Sequence, residues 1–197
     1  MALTKAGETL TDWTEVAAQG IVLSGEIVLS SNYSTGLAIE LALNSTTPHD
    51  GTEATIQVSS STTGEGDWHD LLSIILASGT AATEALGASE PAAETVIAVA
   101  STTGFVTNGA LLFVEDNVIA DSELVRQSDY TTDTSITILA GLENAHDTSD
   151  ALWNVAVSRV FAIPPEWLRA RVVINNDYDS GASTIVYRVK AAKITGV

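Results

Sequence analysis

His146, Asp147 and Asp150 put one imidazole and two carboxylates within five residues, a set able to ligate a transition metal. Such sites usually draw ligands from several elements of the fold. A turn whose Asp and Thr side chains bond the backbone accounts for the same run, and that is the expected reading. Asp177 and Asp179, with carbonyls near Gly181, could offer oxygens to Ca²⁺, but the full D-x-D-x-D-G loop with a distal Glu is missing. A hairpin turn is expected there, and Glu65, Asp67 and Asp70 are read the same way. Glu115 and Asp116 are adjacent, so on a strand they face opposite sides and do not form an acid/base pair. His49, His69 and His146 all lie in turn-like contexts. The chain has no G-x-S-x-G elbow, no Gly-rich phosphate loop and no Cys. The expectation is a protein with no catalytic residues, no cofactor and no metal, and not an enzyme.

One constellation suits docking rather than chemistry. Arg169 and Arg171 share one parity on one candidate strand, and Arg188 and Lys190 share one parity on the last. If those two strands pair across the Asn175–Gly181 turn, the four cations lie on one outer face. Like charges side by side on a sheet repel, so the stripe needs the chain's own carboxylates or an acidic partner surface. Its setting sharpens the point. Residues 1–158 hold 22 acids and 2 bases (−20), and residues 159–197 hold 3 acids and 6 bases (+3). The whole chain is −17, which disfavours nucleic acid and anionic lipid as partners.

The elements that position these groups read as β throughout. Hydrophobic residues make up 45% of 197, enough for a real core, and the polar remainder is rich in Ser, Thr, Asn and Gly. Leu37, Ile39, Leu41 and Leu43 alternate with Ala38, Glu40 and Ala42, which predicts a strand with one wet face. Ala54, Ile56 and Val58 alternate in the same way, and so do Leu168, Ala170, Val172 and Ile174. Gly25 interrupts Ile21–Leu29 and predicts a bend or bulge. Trp68, after a long polar loop, is expected to plug one end of a sandwich core. Asp12 and Glu15 have capping-box spacing ahead of a short helical turn at Trp13–Ala18, with residues 1–20 read as an arm. Thr80–Ala93 is read as a loose link.

Between two sandwich-like stretches lies a second β block with turns of its own. The expected organisation is an arm at 1–20, a discontinuous β-sandwich at 21–81 and 158–197, and an inserted β domain at 82–157. The insert alone carries 12 acids and 1 base. No apolar run is long enough to cross a bilayer as a helix, and the N-terminus does not read as a secretory signal. Synthesis in a cytoplasm is expected.

Several segments resemble virion proteins of tailed bacteriophages. Ala54–Ser61 with Asp67-Trp68 and Leu71-Leu72 is similar to their "I-x-V-x-x-S … D-W-x-D-L" pattern, and Leu168–Val173 with Asn175-Asn176 to a closing "R-x-R-V-x-x-D-N". The insert resembles another phage-associated pattern through Glu94-Thr95-Val96, Ser101–Phe105, Gly109, Glu123 and Gly141–His146. The resemblance covers about residues 37–194 and carries no catalytic motif. It implies an all-β fold, a β-sandwich of jelly-roll or immunoglobulin-like type with an inserted small β domain. It also implies a capsid decoration (cement), neck or tail protein. Its partners would be the major capsid protein or other virion proteins and further copies of itself, with no nucleic acid and no membrane. Arg169, Arg171, Arg188 and Lys190 are the candidate docking residues. A neck, head–tail connector or tail protein is the alternative virion reading. A carbohydrate-binding sandwich is the alternative from another class, with Trp13, Trp68, Trp153 or Trp167 as an exposed stacking platform.

Overall fold

The computed structural model describes residues 4–17, 19–29, 34–46, 52–64, 67–76, 80–176 and 184–195. The turn expected at Thr47–Gly51, and residues 177–181 of the one expected at Asn175–Gly181 with the candidate Ca²⁺ ligands Asp177 and Asp179, lie outside the described residues, as does Glu65; of the turn expected at Asn32–Gly36, the described residues 34–36 open the strand Ser34–Leu43 instead. The protein is all-β. Its strands are β1 (Thr4–Val16), β2 (Ile21–Leu23), β3 (Ile27–Val28), β4 (Ser34–Leu43), β5 (Thr52–Ser59), β6 (Trp68–Leu76), β7 (Thr83–Ala85) and β8 (Val96–Ala98). They continue with β9 (Leu111–Glu115), β10 (Glu123–Thr131), β11 (Ser135–Ile138), β12 (Ala151–Trp153), β13 (Ala156–Ile163), β14 (Arg169–Asn176) and β15 (Ile185–Thr195). A 3₁₀ turn at Ile119–Asp121 is the only helical element among the described residues.

Two antiparallel sheets form the sandwich. One has the order β1-β15-β4-β13; the other has the order β2-β14-β5-β6, with β3 also pairing β14. The alternation read from sequence fills the space between them. Leu37, Ile39, Leu41 and Leu43 from β4 meet Ala54, Ile56 and Val58 from β5 and Ala170, Val172 and Ile174 from β14, all essentially inaccessible. Burying side chains of this size contributes about 1.5–3 kcal/mol each before chain entropy is counted, so this interlayer is the main source of stability.

The third sheet, β7-β12-β9-β10-β11-β8, belongs to the inserted stretch. A bridge between Leu86 and Val99 links the chain just beyond its two edge strands, so the sheet curls toward a small barrel. Leu86, Ile97, Val99, Phe105, Leu112, Val114, Val125, Ile136, Ile138, Leu142 and Leu152 form its own core. Gly141 is required where the returning loop crosses Ala93, because a Cβ there would lie 2.6 Å from the Ala93 carbonyl oxygen.

β9 joins the two cores. Leu112 and Val114 point into the barrel, while Phe113, on the opposite parity, joins the sandwich cluster. Its ring lies 4.8 Å from that of Trp13, tilted by 54°. Trp153, Ile119 and Leu124 add to the same contact. On β4 and β15 the parity opposite the interlayer carries Ala42 and Val186, both fully buried, so the face that alternation marks as wet is covered at this end.

Several expectations are corrected. Residues Thr4–Val16 are not an arm with a helical turn; they pair with β15 from Thr4↔Thr195 to Val16↔Ile185. A helix this short gains too little from its own hydrogen bonds to compete with that pairing. Thr80–Ala93 is not a loose link, because it contains β7 and the bridge Glu90↔His146. Trp68 does not plug the core; it is half-buried on the outer face of its sheet. The expected bend at Gly25, by contrast, is present: it separates β2 from β3, and a Cβ there would lie 2.5 Å from the Leu10 carbonyl oxygen.

Candidate functional site

The four expected docking cations do not share a face. β14 lies in one sheet beside β2 and β5, and β15 lies in the other between β1 and β4, so the two never pair. The reason is that the chain crosses from one layer of the sandwich to the other between them. Each arginine is instead engaged within the chain. Arg169 is 5% exposed. It donates Nη1 to Glu26 at 2.9 Å, Nε to the Ser61 carbonyl at 2.8 Å and Nη2 to the Gly64 carbonyl at 2.6 Å. Arg171 donates Nε to Gln57 at 3.0 Å. The guanidinium carbons of Arg169 and Arg171 stand 4.6 and 4.1 Å from the Trp68 ring centroid. Arg188 sits directly opposite Glu40 in the register, donates Nε to it at 2.6 Å, and covers Trp13 at 4.6 Å. Lys190 is half-buried on the same parity as Arg188.

The groups that do converge lie in the inserted sheet. Asp116 follows β9, Glu123 opens β10, and His146 and Asp150 flank the turn that returns the chain to β12. His146 has no exposed side-chain surface. Its Nε2 is 3.1 Å from Glu123 Oε1, and its Nδ1 is 3.1 Å from Asp150 Oδ2 and 3.4 Å from Asp116 Oδ2. Backbone amides hold the carboxylates. Glu143 and Asn144 donate to Glu123, Asn117 and Asp147 donate to Asp150, and Val118 donates to Asp116. Burial alone would lower the His146 pKa, but its hydrogen bonds to Glu123 and Asp150 outweigh that and raise it. Burial would likewise raise Glu123, yet the His146 contact and the two amides hold it below the usual carboxylate range.

Beside this cluster, a cleft of about 310 Å³ opens at the junction of barrel and sandwich, lined by Glu15, Asn44, Glu115, Asp116, Asn117 and Ser149 among others. Glu115 bridges the two parts, accepting from Asn44 Nδ2 at 2.8 Å and from Trp153 Nε1 at 2.7 Å. Glu115 and Asp116 both line the cleft but bond different partners, Asp116 lying just past the end of β9 and accepting from the Val118 amide. Asp147 turns outward and accepts from the Ser149 amide at 2.7 Å, which is the backbone-bonding turn expected from sequence. Asp67 and Asp70 do not converge. The first is held below the usual carboxylate range chiefly by Ser60, and the second accepts from Gln57 at 2.9 Å.

Sequence reasoning set His146 and Asp150 together but missed Asp116 and Glu123 as their partners. A signal existed for Glu123. It shares the parity of Val125 and Gln127 on β10, and all three are buried. An acid at a buried parity needs a local partner. Of the four tryptophans, Trp13 and Trp153 are buried, while Trp68, against the guanidinium groups of Arg169 and Arg171, and Trp167, with its ring centroid 5.8 Å from that of His69, are half-buried.

No family model matches the chain, and no curated protein matches it. Comparison with solved structures finds an SPBc2 prophage-derived protein, YomS, at 12% identity and a TM-score of 0.32, covering 99% of this chain and 96% of that one. A cleaved adhesin domain of Lys-gingipain from Porphyromonas gingivalis aligns at 8% identity and a TM-score of 0.36, covering 88% of this chain and 63% of that one. A bacteriophage capsid protein aligns at 7% identity and a TM-score of 0.22, covering 100% of this chain and 98% of that one. Phage and capsid proteins are thus among the neighbours, at similarities too low to carry an argument about function.

Proposed function

We propose that this chain is a non-enzymatic structural protein of a tailed-phage virion, and within the virion a capsid decoration protein that binds the outer shell in many copies. The observation that carries the reading is the polarity of the body. The barrel covers one end of the outer face of the β1-β15-β4-β13 sheet and leaves the outer face of the β2-β14-β5-β6 sheet open. On that open face stand Ile21, Leu23, Val28 and Ile75, each at least half exposed, four of the nine exposed large apolar side chains among the described residues. The barrel, by contrast, carries a net −11 of the chain's −17, with 12 acids against 1 base over residues 82–157. A base with exposed apolar side chains along its two edges, and arginines engaged within the chain between them, set against a highly charged outer module, suits a protein that docks on a shell and keeps its far end in water. Weak contacts repeated over many copies add up to firm attachment. The sequence resemblance to virion proteins supports the same reading.

The test is to mix purified protein with undecorated capsids and measure both binding and capsid resistance to heat or osmotic shock. Binding with stabilisation is expected, and Leu23→Glu with Ile75→Glu should abolish both while leaving the fold intact. Absence of binding to the shell, with a copy number of a dozen or fewer per virion, would move the protein to the neck or tail.

A further inference from the structure

Carboxylates from three separate stretches of the insert converge on His146, which goes beyond a hydrogen-bonded turn. Asp116 uses one carboxylate oxygen for a backbone donor and turns the other toward His146 Nδ1, while Asp150 Oδ2 faces the same nitrogen and also accepts from the Asp147 amide at 2.9 Å. Asp150 Oδ1 accepts from the Asn117 amide at 3.2 Å, and Asp116 Oδ1 accepts from the Val118 amide at 2.7 Å. Their Oδ2 atoms stand 3.1 and 3.4 Å from His146 Nδ1. Ligand atoms around a tetrahedral zinc, at bonds of about 2.0–2.2 Å, are roughly 3.3–3.6 Å apart. Asp116, His146 and Asp150 can offer ligand atoms that all lie within 4.8 Å of one another.

Two independent features point to a cation at that place. The first is the far side of the imidazole. Glu123 lies 3.1 Å from Nε2 and is itself fixed by the Glu143 and Asn144 amides. A carboxylate on the remote nitrogen is the arrangement that orients a metal-bound histidine, because it places the proton on Nε2 and leaves the Nδ1 lone pair bare. With a proton on Nδ1 the ring donates to Asp150; a cation in place of that proton would take the lone pair together with the two carboxylate oxygens that face it. The second is charge. Asp116, Glu123 and Asp150 are at most 14% exposed in their side chains, and among the described residues none of them pairs with Lys or Arg. The one base of the insert, Arg126, donates to the Gly109 carbonyl instead.

We propose that Asp116, His146 and Asp150 form a binding site for one divalent transition-metal ion of the zinc class, with Glu123 as the positioning residue. One imidazole with two carboxylates and no thiolate suits Zn²⁺ better than Mg²⁺, which prefers all-oxygen shells. Asp116 lies on the wall of the junction cleft, which gives the ion a path in and a water for its remaining position. The ion ties the end of β9 to the turn before β12, and so fixes the barrel beside its contact with the sandwich. The site is independent of the virion reading.

Chelator-stripped protein is titrated with ZnCl₂ by calorimetry and melted with and without it, using MgCl₂ as the control. Binding of one Zn²⁺ per chain and a midpoint raised by several degrees are expected, with no response to Mg²⁺. Asp116→Asn, at the rim and so compatible with folding, should weaken binding about tenfold or more. Co²⁺ in place of Zn²⁺ should give the visible absorption of a low-coordinate site, and this should vanish in the same variant. No Zn²⁺ binding, or binding equally tight in Asp116→Asn, would overturn the proposal. The cluster would then be a hydrogen-bonded network only.

Discussion

Phe113 gives the sharpest test of how the inserted barrel is held. Its side chain is fully buried, and it leaves the barrel to enter the sandwich cluster against Trp13. Phe113→Ala removes an aromatic ring from a packed junction, which costs about 3–5 kcal/mol through lost transfer energy and the cavity left behind. The total stability of a domain is about 5–15 kcal/mol, so the loss is a large share. For a chain of this size each kcal/mol lowers the midpoint by about 2–4 °C, so the expected drop is roughly 6–20 °C. Urea unfolding followed by tryptophan fluorescence and by circular dichroism reads the result, with Leu112→Ala as the companion variant because Leu112 faces the barrel core alone. If the junction couples the two cores, Phe113→Ala shifts both signals together. A loss below about 1 kcal/mol would refute the reasoning, since it would mean the two cores share no packing energy across β9. So would a shift confined to one probe.

Two further outcomes follow from the same geometry. Arg188→Ala strands Glu40, whose side chain is 15% exposed, and removes the cover from Trp13. Its cost in denaturant unfolding should be about 2–3 kcal/mol, less than for a fully buried pair, with Arg188→Lys recovering only part because it lacks the planar fork. Burial pushes the Tyr187 phenol above its ordinary range despite a hydrogen bond with Thr11. A group whose folded pKa is raised contributes stability that is whole below its unfolded value near 10 and fades as pH rises through the folded one. Stability should therefore fall on the alkaline side, and Tyr187→Phe should flatten that limb in midpoints measured from pH 8 to 11.

The strands themselves were legible because side-chain direction in a strand depends only on parity, so Leu37–Leu43 and Ala54–Val58 carry their buried faces in the order of their residues. The all-β class followed from the same local signal. The Asp147 turn was legible too, since its bonds run to its immediate neighbours. Trp13 was not, because nothing local distinguishes a strand that pairs with a segment over 170 residues away from a polar arm with one tryptophan.

The amino-acid order by itself determined which residues could face inward, where charge accumulates, and that thiol chemistry is absent. Only the tertiary structure decided which strands became neighbours. It sent β14 and β15 to different layers, so Arg169 and Arg171 found Glu26, Gln57 and Trp68 while Arg188 found Glu40 and Trp13. It also brought Asp116 and Glu123, 30 and 23 residues earlier in the chain, to His146. Parity is a property of one backbone, whereas pairing is a contest among all backbones for the same hydrogen bonds and the same buried surface.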